Sequence, residues 1–578
     1  MHISLDQAIG RQPRLNRVGQ SLLNIASGAS AAYSLRSLTG DEPKAVRIRR
    51  DGDNEERDFT TAEIGNEAAD WTNGKQETTL PADVATSAAA YSLRKVKSDY
   101  TGPAVRVRRT SDDIDADVAF DTNDTVSNDS IVTEVLSGNQ STLQAFISGT
   151  NAAVAIWYDQ SGSSNNATQE ADANQPLIAS GGNLRDDGIE FESDVQLLLS
   201  GSGLDIFKNA PNGHIFSVIK PGEQGTSNKR YFEALTADGS GARFLFGDGQ
   251  DVNATFRIGG RSLDSDSFGD EESPTSPNGA LSVMTGFLDY QNAEGFLFLN
   301  GTQVATNTIP NISGSNTSNT SSNKVAIGAA TASLTADFFA KEFIIYNTDQ
   351  TNNRFKIESN INNHYTIYTA AQNGFVNKWY DQSGNGRNAV AAADENEPKI
   401  VENGSYLGEL SFDGSDDTLS VATVSTLGID GSNNKSAFAV ARTTAGTDGF
   451  VIAGIDGGGS FRGLRYRSNA TNGQARVEIS SFGVQGGDLS DGNNHVYSSI
   501  FDGTQTQHFD VSLDGSITQG SGTDVVNTDG TSTFFIGTVT SNSDAGFTRE
   551  FILYASDQTS NRTAIETNIA NEYGITLS

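Results

Sequence analysis

Trp157-Tyr158-Asp159-Gln160-Ser161-Gly162 returns unchanged as Trp379-Tyr380-Asp381-Gln382-Ser383-Gly384. Each copy is followed by an Asn-rich tract, an x-Pro pair ending in Pro176 or Pro398, and an alternating run through Phe191 or Phe412. The copies lie 222 residues apart, from 157 to 379, and Phe216 and Phe438 keep that offset. By Glu342 and Glu550 it has shrunk to 208, with the order of matching segments unbroken. A whole domain has been duplicated.

Both copies close alike. Glu342–Tyr346 and Glu550–Tyr554 are apolar runs of buried-strand length. Asp349 and Asp557 then offer helix N-caps. The stripes Ile357, Ile361, Tyr365 and Ile565, Ile569, Tyr573 predict a short helix seated on each body. Asn300-Gly301 and Asp514-Gly515, between alternating runs, predict tight hairpins, because type I′ turns need positive φ at both centres.

A smaller repeat precedes these. Ala-Ala-Tyr-Ser-Leu-Arg occurs at 31–36 and 89–94, and Val-Arg-Ile-Arg-Arg at 46–50 matches Val-Arg-Val-Arg-Arg at 105–109. The alternation predicts half-buried strands with arginines on a solvent face, beside the acidic turns at Asp51, Asp53, Asp112 and Asp113. Residues 31–85 read as a partial copy of the element that opens the first full domain. Upstream, Leu15, Val18, Leu22 and Ile25 recur at helical spacing beside Arg14 and Arg17.

The expected fold is mainly β: two tandem antiparallel jelly-roll sandwiches, each closed by a short helix, behind an N-terminal docking arm. The boundaries expected are 1–30 for the arm, 31–85 for a small β region, 86–366 for the first sandwich and 367–578 for the second. Composition agrees. Apolar residues are 36%, below the usual ~45–50%, while 60 glycines suit many short strands and turns.

The net charge of −33 argues against nucleic acid or an anionic membrane as partner. Residues 1–50 run the other way, with eight Lys or Arg against three acids, a local +5. There is no cysteine, hence no disulfide or thiolate metal site. No stretch is long and apolar enough to span a membrane, and the N-terminus lacks the apolar run of a secretory signal. A chain acting outside a cell would then leave by lysis or another route.

The Trp-Tyr-Asp-Gln-Ser-Gly-Asn-Gly run at 379–386, its downstream Glu-Pro, the hairpin and the terminal Tyr-bearing helix resemble the concanavalin A-like, laminin-G-type jelly rolls. They resemble in particular the catalytic sandwich of family 54 α-L-arabinofuranosidases, where a similar run follows a stretch like Tyr91–Asp113. The pairing of this motif with Tyr-Ser-Leu-Arg also looks like structural, tail-fibre-like proteins of tailed bacteriophages. The resemblance covers about residues 86–578, and 31–85 weakly.

Two readings of the hexapeptide are open. Trp157, Tyr158 and Asp159, with Trp379, Tyr380 and Asp381, could form a sugar platform, the rings stacking and the acids bonding hydroxyls. Alternatively, the tryptophans anchor the core and the aspartates bond turn amides; identity between two domains whose other loops differ favours this. A retaining glycosidase needs two carboxyls ~5–5.5 Å apart. No motif locates them, because the tripeptides after Gly328 and Gly537 carry no acid, and Asp248, Asp251, Asp264 and Glu478 are what an acidic chain supplies anyway. The expectation is therefore no enzyme and no cofactor. Calcium, at Asp413-Gly-Ser-Asp416-Asp417 or Asp248-Gly-Gln-Asp251, is the one metal to consider.

The functional expectation is a virion protein of a tailed phage. Arg11, Arg14 and Arg17 would dock its N-terminus on other virion proteins, and the acidic sandwiches would meet a host-surface glycan. It would be a homo-oligomer, a trimer if a fibre, with no nucleic-acid partner and no membrane insertion. A capsid decoration or head-fibre protein without host binding, and a glycoside hydrolase of arabinofuranosidase type, are the alternatives.

Overall fold

The structure, a computed structural model, describes residues 21–578 apart from 194, 223–228, 249–254, 275–276, 278, 329–335, 445–447, 456–463, 480–481, 503–508, 521–526 and 538–542. The chain divides into two compact units, Gly74–Ala370 and Met1–Asn73 together with Ala371–Ser578. Each is an antiparallel jelly-roll sandwich.

In the Gly74–Ala370 unit one sheet runs Thr302–Thr308, Glu294–Leu299, Ser282–Asp289, Asn212–Pro221 and Ala336–Tyr346. The two ends of that last strand take Ala89–Ser92 and Ile189–Ser193. The facing sheet runs Gln196–Leu199, Val325–Gly328, Arg230–Leu235, Ala242–Asp248, Phe256–Gly260 and Gly269–Glu272. The strands Val105–Arg109 and Ala152–Trp157 pair at the flank.

The other unit repeats this order. Ser516–Gln519, Phe509–Leu513, His495–Phe501, Lys435–Thr443 and Gly546–Tyr554 form one sheet, with Ala31–Ser34 and Ser405–Phe412 at the ends of the last strand. Thr418–Thr423, Thr533–Gly537, Val451–Ile455, Leu464–Ser468, Gln474–Ile479 and Phe482–Asp488 face it. Lys44–Arg50 pairs with Gly374–Trp379 at the flank.

The closing strands are apolar without alternation because both their faces are covered. Phe343 and Ile345 enter the core of their sandwich, while Ile344 meets Ile357 and Ile361 of the helix Arg354–Tyr365. Phe551 and Leu553 likewise turn inward, and Ile552 meets Ile565 and Ile569 of Arg562–Tyr573. The hairpin expectation holds: Asn300 and Gly301 have φ of 52° and 81°, Asp514 and Gly515 of 48° and 83°.

Four expectations change. The sandwiches are nested in sequence and not strictly tandem, and the region expected at 31–85 is split. Its first part supplies the opening strand of the second sandwich: Tyr33 faces Phe551 as Tyr91 faces Phe343. The closing strand needs an edge partner, and the small repeat is that partner in both units. Of the expected arm, residues 21–30 pack on the unit itself, Leu22 and Ala26 lying beside Ile565 and Ile569. Residues 1–20, with Arg11, Arg14 and Arg17, are outside the described residues. Asp349 and Asp557 cap the turn before each helix, through the amides of Thr351 and Thr559, and not the helices themselves. Finally, Arg50 is paired with Asp53 as expected but is buried, its guanidinium stacked 4.8 Å from the Trp71 ring.

Candidate functional site

Each hexapeptide begins on the last residue of a flanking strand and turns back over the opening strand. Trp157 and Trp379 are fully buried, tilted against Tyr91 at 6.0 Å and Tyr33 at 5.8 Å. Asp159 Oδ1 accepts from the amides of Ala90 (2.8 Å) and Ser161 (2.9 Å), and Oδ2 from Ser161 Oγ (2.8 Å) and the Asn165 amide (2.9 Å). Asp381 repeats this with Ala32, Ser383 and Arg387 at 2.8–3.0 Å. Gln160 donates to the carbonyls of Ser92 and Arg94 and accepts from Val96; Gln382 does the same with Ser34, Arg36 and Leu38. The hexapeptide and the Ala-Ala-Tyr-Ser-Leu-Arg strand are thus two halves of one clasp.

The remaining member, Tyr158, donates to Asp117 at 2.8 Å, and Tyr380 donates to Asp58 at 2.7 Å. Arg106 and Arg47 grip the same carboxylates. Arg47, with help from Lys44 and Tyr380, holds Asp58 well below the usual carboxylate range. The tyrosines are half-buried and their hydroxyls taken. A carboxylate that already accepts four hydrogen bonds has little left for a sugar hydroxyl.

A second repeated network joins the opening strand to the closing helix. Arg94 donates to both oxygens of Glu342 at 2.7 and 3.0 Å and to Asn360, while Ser92 and Tyr365 donate to the same glutamate. In the other unit Arg36, Glu550, Asn568, Ser34 and Tyr573 stand in those places. Sequence reasoning named most of these residues within their repeated segments but not the network that joins them. The available signal was that each polar member recurs in both copies.

Outside the framework, a cavity of about 250 Å³ in the Gly74–Ala370 unit is lined by Arg108, Asp172, Gln175, Glu190 and Glu192 among others. Arg108 is engaged there by Gln175 (2.8 Å) and Asp113 (2.6 Å), and burial raises the Glu190 carboxyl. In the other unit Arg49 meets Glu397, also at 2.8 Å, where Gln175 would stand.

The acids singled out from the sequence are not brought together. Asp248 is pushed up to about 6 by burial and accepts from Tyr231; Asp264 accepts from Arg243 and Thr320. Glu478 sits among arginines of the other unit. Asp251 is outside the described residues, as are the tripeptides at 329–331 and 538–540. Asp413, Asp416 and Asp417 do converge, with one oxygen from each within 4.8 Å of the others, the one such trio among the described residues. Burial pushes Asp417 up to about 7, and it accepts from the Asp413 amide.

No family model matches the chain, and no curated protein does. Solved structures similar to it include a GH54 α-L-arabinofuranosidase soaked with a cyclic sulfate inhibitor, at 12% identity and TM-score 0.35, over 78% of this chain and 85% of that one. Others are domains LG4-5 of the mouse laminin α1 chain (10% identity, TM-score 0.20, 60% and 85%) and the binding domain of botulinum neurotoxin DC (9% identity, TM-score 0.28, 71% and 94%). Likenesses this distant assign no chemistry.

Proposed function

We propose that the chain is a virion structural protein of a tailed phage, a binding protein that presents two acidic sandwiches to a glycan on the host surface. One observation carries the reading. The two units repeat a buried framework, clasp and Arg-Glu network alike, while polar groups outside that framework differ, as at Gln175 beside Arg108 and Glu397 beside Arg49. Duplicated binding modules diverge in this way, since the scaffold must be kept and the ligand need not. The basic N-terminal segment on an acidic body supports attachment to other virion proteins through that segment.

The test is a glycan array probed with the full-length chain. Binding to at least one class of bacterial surface glycan, without release of sugar, is expected. Silence across the array would favour a decoration role, and sugar release abolished by changing a single acid would overturn the reading in favour of a hydrolase. Removing residues 1–20 should leave folding intact and abolish incorporation into particles.

A further inference from the structure

In the unit that ends the chain, one sheet face carries more positive than negative side chains. Leu464, Tyr466, Ala475 and Val477 point into the core, so Arg465, Arg467, Arg476 and Glu478 stand on the opposite face of neighbouring strands. Arg467 lies directly across the ladder from Arg476, a like-charge pairing that destabilises a sheet. One carboxylate serves both, and Arg467 also donates through Nε to the Ser468 carbonyl (3.0 Å) and through Nη2 to the Asp448 carbonyl. Glu478 Oε1 accepts from Arg467 Nη1 at 3.2 Å and is 3.8 Å from Arg465 Nη1. Its Oε2 lies 3.0 Å from Arg476 Nε, out of line for a hydrogen bond.

The Arg467 and Arg476 side chains remain 13% and 23% exposed. Across from Glu478 is Gly483, where an added Cβ would come within 2.5 Å of Arg476 Nε, so the guanidinium lies over bare backbone. Gln485, across from Arg476, adds an amide. In the other unit two arginines of the matching sheet are settled differently. Arg243 has Asp264 and Arg257 has Asp270, each at 2.7 Å, and both arginines are buried.

We propose that the Arg467–Arg476 face binds an anionic sugar, a carboxylate or sulfate ester on a glycan held between the two guanidinium groups with Gln485 bonding a neighbouring hydroxyl. Planar guanidinium forks match the oxygens of either anion, and an anion between them would relieve the cross-strand repulsion. The inference rests on the glycan-facing reading above and names the ligand class.

The chain's charge of −33 repels polyanions at long range, so retention by one reports a local site. Full-length protein is passed at low salt over polygalacturonate, dextran sulfate and uncharged dextran resins. Retention on at least one charged resin and not on dextran is expected, with elution as salt rises; the resin that retains it tells uronate from sulfate ester. Arg467→Gln with Arg476→Gln should weaken retention at least tenfold in protein that melts as one folded species. Glu478→Gln should bind at least as tightly, the reverse of what a purely structural cluster predicts. If the double variant fails to fold, Arg476→Lys, which keeps the charge and loses the fork, should weaken retention several-fold. Passage of the wild-type chain through both charged resins, equal retention of a folded double variant, or weaker retention of Glu478→Gln would each overturn the proposal. A chain that binds neutral glycans on an array yet passes both charged resins overturns this inference and leaves the wider reading standing.

Discussion

The two sandwiches meet the same structural needs with differently charged atoms. In the Gly74–Ala370 unit the Gln350 amide donates to His214 Nδ1 at 3.2 Å; in the other, the Gln558 amide donates to Ser436 Oγ at 3.1 Å. At the hairpins the Val283 amide donates to Asn300 Oδ1 and the Val496 amide to Asp514 Oδ1. Asp514 brings with it His495, in the register position that Ser282 holds in the other unit. The clasp shows no such exchange. A side chain that answers one backbone group can be swapped for any acceptor of similar reach, whereas Asp159 and Asp381 each answer four donors at once.

That comparison predicts its largest effect at the clasp. Asp159→Ala leaves buried donors without partners and should cost the Gly74–Ala370 unit about 5 kcal/mol, as Asp381→Ala should its own. Hydrogen exchange read by mass spectrometry would assign the loss to one unit or the other. A loss below about 1 kcal/mol in either would break the idea that the clasp fixes the fold.

Next comes acid. Burial, with the Arg354 charge behind it, pushes His214 down to about 3, and its ring is stacked on Phe216 at 4.6 Å. Unfolded histidine protonates near 6.5, so this contribution is complete above that pH and is lost as pH falls toward 3, by up to about 4 kcal/mol. His214→Ser, which installs the other unit's residue, should cost stability at neutral pH by opening a gap and remove the extra acid slope. An acid slope equal to the wild type's would show that the histidine is not the cause.

The Arg-Glu network should respond unequally. Glu342→Gln strands Arg94, whose side chain is 4% exposed, and should cost about 3 kcal/mol; Glu550→Gln strands Arg36, 16% exposed and nearer water, and should cost less. Denaturant titration of the two variants settles the order, and equal losses would show that exposure does not set the cost.

Much of this was legible in the sequence, and what was not has a physical reason. The duplication, the hairpins and the closing helices rest on short-range patterns, which a linear reading captures. The nesting does not, because Ala31–Ser34 finds its partner strand in Gly546–Tyr554, more than five hundred residues along the chain. The turn half of the hexapeptide was legible, since Asp159 meets Ser161 and Asn165 a few residues away; its other half was not, because Ala90 and the carbonyls that Gln160 meets belong to another repeat. Leu464–Ser468 alternates two arginines and Gln474–Ile479 carries one, yet alternation alone cannot say that Arg467 would face Arg476.

The smallest effect lies at alkaline pH, in the other unit. His495 is hydrogen-bonded to Asp514 at 2.6 Å and Asp491 at 2.9 Å, and the bond to Asp514 leads in raising it to about 9. A histidine raised above its unfolded value stabilises fully below about pH 6.5 and loses that contribution as pH rises through 9, here about 1–2 kcal/mol once solvent screening is allowed for. Lys435 works in the opposite sense. Burial pushes its amine down to about 7, so its cost to the fold shrinks as pH rises from there toward 10.5. The raw melting curve of this unit therefore mixes a loss with a gain. The informative quantity is the difference between the wild type and His495→Ser with Asp514→Asn, which rebuilds the neutral hairpin of the other unit. That difference should favour the wild type at pH 6 and close by pH 10. A difference that stays constant over the range would mean that the hairpin, like the Gln350 and Gln558 contacts, needs only an acceptor, and that the ion pair adds nothing.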